Sequence, residues 1–112
     1  MDIAFSPVDG VVLVSPTGRL DAHSAADFEA RLGAEIDGGA KQLVIDGTGL
    51  EYLSSAGLRA LLGITKKIRT SGGTIALCHL QPQLVEIMEI AGFNSLIPTY
   101  PDQAAAVAAA KP

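Results

Sequence analysis

The apolar positions of this chain change period several times, and each change marks an element. Residues 3–8 and 11–15 are β-like runs separated by Asp9-Gly10, a strong hairpin signal. Pro7 makes the first run an edge strand or ends it early. Val11-Val12-Leu13-Val14 is continuously apolar, as in a strand covered on both faces, and Pro16-Thr17-Gly18 is expected to break it. Helical steps follow: Ala25, Phe28, Leu32 and Ile36 form an inner stripe, stopped by Gly38-Gly39. Ser24 or Asp21 can cap this helix, and Asp27 lies three residues after Ser24, close to a capping box.

Leu43-Val44-Ile45 reads as a buried strand, ended by Asp46 and the turn-forming Gly47-Thr48-Gly49. Leu50, Tyr52 and Leu53 lead into Ser54-Ser55-Ala56-Gly57, and then Leu58, Leu61, Leu62, Thr65 and Ile68 recur on one helical face. Ser71-Gly72-Gly73 turns into a strand over residues 74–78. Pro82 suits the first turn of a third helix over residues 83–91, whose apolar face is Leu84, Val85, Ile87, Met88 and Ala91, with Gly92 as the stop. Leu96-Ile97 is a short last strand, and Asp102 opens an Ala-rich helix to about residue 110. The order β-β-α-β-α-β-α-β-α predicts an α/β fold, a mostly parallel mixed sheet opened by an antiparallel hairpin, with about four helices. The loops at Asp21 and at residues 47–55 then open on the same side of the sheet.

Bulk properties narrow the function. A chain of 112 residues with 48% hydrophobic and 18% charged residues suits one domain with a single core. The lone Cys78 excludes an internal disulfide framework and fits a reducing compartment; its apolar run (Ile75-Ala76-Leu77) makes it a buried, inert thiol. No signal-peptide pattern opens the sequence, and no stretch approaches the ~20 apolar residues of a membrane span, so a cytoplasmic protein without membrane insertion is expected. The net charge is −4, with no basic patch beyond Lys66, Lys67 and Arg69, which argues against direct nucleic-acid binding. Any effect on transcription would pass through another protein.

The sharpest chemistry lies at Ser54 and Ser55. Hydroxyls at a helix N-terminus cap free N–H groups, and a phosphate added there meets donors and a favourable dipole. Both a plain cap and a phosphoacceptor fit. Lys66, Lys67 and Arg69 suit the other end of the same dipole. Enzyme signals are missing: there is no G-x-S-x-G elbow, no Walker loop and no G-x-G-x-x-G. Two isolated histidines, His23 and His79, and one cysteine do not make a metal site. No catalytic residue, metal or cofactor is expected.

The stretch from Leu43 to Arg69 resembles the signature of STAS domains, the family of bacterial anti-sigma factor antagonists. That signature is a strand ending in Asp, a short loop, Asp-Ser-Ser/Thr/Ala-Gly-Leu and an apolar helix. Asp46 matches the strand-ending Asp, Ser55 the phosphorylatable Ser, Ala56 the small residue and Gly57-Leu58 the Gly-Leu. Gly18-Arg19-Leu20-Asp21 is similar to the family's Gly-Glu-Leu-Asp, and Gly72-Gly73 to its later glycine turn, so residues 1–112 read as a single STAS domain. Ser54 departs from the pattern, because the family has Asp before the acceptor; Ser keeps a capping oxygen but not the charge.

The resemblance implies an anti-sigma factor antagonist acting as a partner switch. Its unphosphorylated form would bind a GHKL-type anti-sigma factor that is also a serine kinase. ATP-dependent phosphorylation at Ser55 would end the complex, and a PPM-type serine phosphatase would reset it. Some such systems control secretion, motility or biofilm formation instead of sigma release. The partner face would include Asp21, Ser54, Ser55, Gly57, Arg59 and the outer part of the second helix. Asp21 is a loop cap, a partner contact or a charge that repels a phosphate on Ser55; Asp46 fixes its own turn, Gly57 permits a close approach, and Arg59 reaches a partner or a phosphate on Ser55. The alternative is a STAS subunit, never phosphorylated, that docks on an ABC-transporter ATPase for phospholipid trafficking.

Overall fold

In a computed structural model, residues 1–111 are described. The hairpin forms as the sequence predicts: β1 (Asp2–Val8) pairs antiparallel with β2 (Val11–Leu20), and Asp9 and Gly10 turn the chain with φ of 51° and 81°. Then come α1 (Ala25–Asp37), β3 (Gln42–Asp46), a 3-10 turn (Gly47–Gly49), β4 (Leu50–Leu53) and α2 (Ser55–Thr70). β5 (Thr74–Cys78), α3 (Pro82–Ile90), a second 3-10 turn (Phe93–Ser95), β6 (Thr99–Tyr100) and α4 (Gln103–Ala110) complete the chain. The sheet runs β1-β2-β3-β5-β6, parallel except for the hairpin, with β1 at one edge. The expected α/β class and element order are present, with one strand more than expected, β4, which lies between β3 and α2 and pairs with β2.

The sheet separates two apolar layers. Alternate strand residues such as Val14, Leu43, Ile45, Ile75 and Leu77 meet Phe28 and Leu32 of α1, Leu61, Ile64 and Ile68 of α2, and Leu84 and Met88 of α3. The opposite residues, Val11, Leu13, Val44, Ala76 and Cys78, are covered by Ala106, Val107 and Ala110 of α4. The continuous apolar run of β2 is thus buried on both faces, as expected.

Three expectations are corrected. Pro16-Thr17-Gly18 does not end the second strand, which continues to Leu20. β2 pairs with β3 through Val12–Val14 and with β4 through Gly18–Leu20, so Pro16 sits at the changeover, where a missing N–H costs no bond on that side. The last strand is Thr99–Tyr100 rather than Leu96-Ile97: the N–H groups of Leu96 and Ile97 both donate to the Phe93 carbonyl, and Ile97 is buried as a plug. Finally, α2 buries Ala60, Leu61, Ile64, Thr65 and Ile68, whereas Leu58 and Leu62 are only half-buried.

Candidate functional site

The forked strand β2 builds the site. Its second half pairs with β4, with a register irregularity between Gly18 and Arg19, and Leu20 lies opposite Leu53. Both strands end there, so Asp21 and Ser54 leave the sheet side by side. The Leu20 carbonyl accepts from the Ser54 N–H at 3.0 Å, fixing the start of α2 against the end of β2. Gly57 lies on that same carbonyl: a Cβ at this position would stand 2.4 Å from the Leu20 oxygen. The expected close approach at Gly57 is therefore present, and its neighbour is the backbone that precedes Asp21.

The two serines divide the work. Ser54 is the N-cap, with extended backbone (φ −91°, ψ 175°), and its Oγ accepts from the Gly57 N–H at 3.2 Å. Ser55 is the first helical residue; it is exposed, and its hydroxyl has no hydrogen-bond partner among the described residues. A free hydroxyl thus sits over the N-terminal dipole of a sixteen-residue helix. Arg59 is exposed one turn further along.

Asp21 is held by its own loop. Its Oδ1 accepts from the His23 N–H at 3.0 Å, and its carbonyl accepts from the N–H groups of Ser24 and Ala25. The His23 bond is the first cause that holds the Asp21 carboxyl below the usual aspartate range, against a smaller opposing effect of desolvation. Neither Asp21 nor Ser24 caps α1 in the expected way. Ser24 Oγ instead donates to the Arg19 carbonyl at 2.7 Å and accepts from the Asp21 N–H at 3.0 Å, which leaves no capping-box role for Asp27. Asp46 behaves as read from the sequence: its Oδ1 accepts from the N–H and hydroxyl of Thr48.

Arg19, Glu51 and Tyr52, to which the sequence pattern assigns no site role, also gather here. The Arg19 guanidinium lies 4.2 Å from the centre of the Tyr52 ring, and its Nε is 3.7 Å from Asp21 Oδ2. With Asp21, His23, Asp27 and Glu51, Arg19 lines a groove of about 460 Å³ between the end of β2, the start of α1 and β4. The apolar-polar-polar-apolar pattern of Leu50–Leu53 was the available signal, but the β2–β4 register is needed to pair Arg19 with Tyr52. Elsewhere, burial pushes the Cys78 thiol up to about 12, so it is not nucleophilic. Among the described residues, no group of three His, Cys, Asp or Glu side chains could hold a metal ion. Among the same described residues, no helix is long and apolar enough to cross a membrane.

The STAS domain family matches residues 3–106. The chain is 37% identical over 111 residues to BtrV of Bordetella bronchiseptica, a candidate anti-sigma factor antagonist, covering 99% of this chain and 96% of that one. It is 26% identical over 95 residues to the anti-sigma F factor antagonist of Paenibacillus polymyxa, covering 84% and 81%. The crystal structure of an anti-sigma factor antagonist from Mycobacterium paratuberculosis superposes with a TM-score of 0.89 at 27% identity, covering 99% and 94% of the two chains. With the signature loop, the sheet order and these relatives in agreement, the chain belongs to the STAS domain family.

Proposed function

We propose that this chain is an anti-sigma factor antagonist that works as a phosphorylation-controlled partner switch, with residues 1–112 acting as one STAS domain. The observation that carries the reading is the exposed, unbonded Ser55 hydroxyl at the head of α2, beside a cap that Ser54 already supplies. The partner is a GHKL-type anti-sigma factor with serine kinase activity, and it docks on Asp21, Ser54, Ser55, Gly57 and Arg59. The kinase transfers the γ-phosphoryl group of ATP to Ser55 Oγ: an O–P bond forms, the β–γ bridge breaks, ADP leaves and the hydroxyl proton goes to the kinase's base. A PPM-type phosphatase reverses the modification with water, releasing inorganic phosphate. The chain itself acts by binding, without catalysis or a cofactor, in the cytoplasm.

The physical logic favours a change of binding over a change of fold. A phosphoserine brings a charge of about −1.5 to −2 and three acceptor oxygens. The free N–H groups and dipole at the start of α2 accommodate it, whereas a partner pressed against Ser55 meets both bulk and charge. Ser54 supports the acceptor through its cap, in place of the family's Asp.

The test is intact mass and peptide mapping of wild type, Ser55→Ala and Ser54→Ala after incubation with the serine kinase from the same genomic neighbourhood and ATP. One phosphate on wild type and Ser54→Ala, none on Ser55→Ala, and loss of co-elution with the kinase on phosphorylation are expected. An unchanged mass in all three would replace the switch with a constitutive docking subunit, such as one on an ABC-transporter ATPase.

A further inference from the structure

The exposed side of α2 carries a charge pattern that its own stability does not account for. Ser55, Arg59, Leu62, Lys66 and Arg69 are spaced four, three, four and three residues apart, so they fall on one line along the helix, about 21 Å from end to end. Leu62 is half-buried and the other four are exposed. Across all sixteen residues α2 has four cations and no carboxylate, in a chain of net charge −4. Lys67 is off this line and pairs with Asp37 of α1 at 2.9 Å. Arg59 and Lys66 enter no ion pair among the described residues, and Arg69 donates to the Leu96 carbonyl while staying exposed.

The helix dipole explains cations in the last turn, but not Arg59, which is the fifth residue of α2. Solvent-facing helices ordinarily intersperse Glu with Lys at such spacings, because like charges one turn apart oppose helix formation. On the α1 side, Asp37 is engaged with Lys67, and the Glu29 carboxylate rests against Gly63. Apolar surface adjoins the line at Leu62 and at Leu96, which Arg69 holds.

We propose that the outward line of α2 docks an acidic strip on the partner protein, a helix or strand edge with carboxylates spaced to meet Arg59, Lys66 and Arg69 around an apolar contact at Leu62. A protein strip fits better than a polyanion: the line is one residue wide, and Asp21, Asp27, Glu29 and Glu51 would repel a long nucleic acid or an anionic bilayer. The regulatory consequence rests on the proposed phosphorylation of Ser55. A phosphate there heads the line one turn before Arg59, draws that guanidinium to itself and sets a dianion against the partner's acids. Release then follows from charge as well as bulk.

The experiment titrates the full-length, isotope-labelled chain with a synthetic sixteen-residue helical peptide bearing Glu at positions matching the line, beside the same peptide with Gln. Amide shifts should concentrate at Arg59, Leu62, Lys66 and Arg69 with the Glu peptide only. R59E/K66E, with R59Q/K66Q as the milder variant, should weaken binding about tenfold at low salt and less at high salt. K111E, on the other face of the sheet, should leave binding unchanged. Shifts that scatter, persist with Gln, or survive R59E/K66E would overturn the proposal, as would stronger Lys66-dependent binding to phosphatidylglycerol vesicles or to DNA. Kinase binding to R59E/K66E as tight as to wild type would sink the acidic strip and leave the switch standing. A Ser55 that takes no phosphate, with peptide shifts still on the line, would do the reverse.

Discussion

Two glycines on α2 make a discriminating pair, because each forms an equally close contact with a different kind of neighbour. A Cβ on Gly57 would lie 2.4 Å from the Leu20 oxygen, 3.0 Å from Leu20 Cγ and 3.1 Å from its carbonyl carbon. A Cβ on Gly63 would lie 2.4 Å from Glu29 Oε2. Ordinary contacts stay beyond about 3.0 Å, so either alanine forces a displacement of roughly 0.6 Å. The Leu20 carbonyl cannot yield: it accepts from Ser54 N–H and belongs to the β2–β4 pair, and Leu20 is only 1% exposed. The Glu29 carboxylate is the end of a flexible side chain on an exposed residue and swings away.

Overpacking a fixed site costs about 1–3 kcal/mol, and replacing a helical Gly by Ala returns up to about 1 kcal/mol. Gly57→Ala should therefore lose about 1–2 kcal/mol and lower Tm by about 4–8 °C. Gly63→Ala should gain about 0.5–1 kcal/mol and raise Tm by about 2–4 °C. Thermal unfolding followed by circular dichroism, with urea titration for the free energies, reads both. A Gly57→Ala protein as stable as wild type would refute the claim that the β2 terminus rigidly seats α2. A Gly63→Ala protein that falls as far would refute the distinction between backbone and side-chain neighbours.

Three further outcomes are expected. Ser54→Ala removes the acceptor for the Gly57 N–H and should cost about 1 kcal/mol in urea unfolding, whereas Ser54→Asp keeps the cap, adds a favourable charge and should match or exceed wild type. The Asp21 carboxyl titrates below its ordinary value in the folded chain, so the stability it confers is complete above an unfolded value of about 3.9 and is lost as pH falls through the lower, folded value. The wild-type advantage over Asp21→Asn should accordingly be flat above about pH 5 and shrink in acid; an advantage that grows in acid would reverse the assignment. Cys78, buried and raised to about 12, should react with a thiol reagent at pH 8 only at the rate of unfolding, and rapid modification of the native protein would show that α4 does not seal its face of the sheet.

Local chemistry made much of this protein legible from its residues alone. Asp9-Gly10 dictates its turn because the turn needs two positive φ angles, and Phe28, Leu32 and Ile36 mark the buried side of α1 because the helical period aligns them. The strand-loop-serine-helix stretch likewise placed Ser54 and Ser55 at a helix start, and hydroxyl capping needs only neighbours in sequence. Asp46 is legible for the same reason, since it binds Thr48 two residues on, whereas a glycine in the first turn of α2 signals a close approach without naming its neighbour, Leu20.

The rest required partners distant in the chain. A tetrapeptide such as Leu50–Leu53 has no identity as a strand until β2 supplies its ladder, and Pro16 could lie inside β2 only because the strand changes partners there. The capping roles expected of Asp21 and Ser24 were redirected by the turn that joins Arg19 to Ser24. Leu62 and Ile64 are equally apolar by composition, yet packing against the sheet buries Ile64 and leaves Leu62 on the line that runs from Ser55 through Arg59 to Arg69. Sequence by itself determined the serine-headed helix, the hairpin and the family signature, because each depends on residues within a few positions of one another. Only the tertiary structure decided that Asp21 stands beside Ser54 and that Arg19 stacks on Tyr52, because register between strands thirty residues apart is set by the packing of the whole sheet.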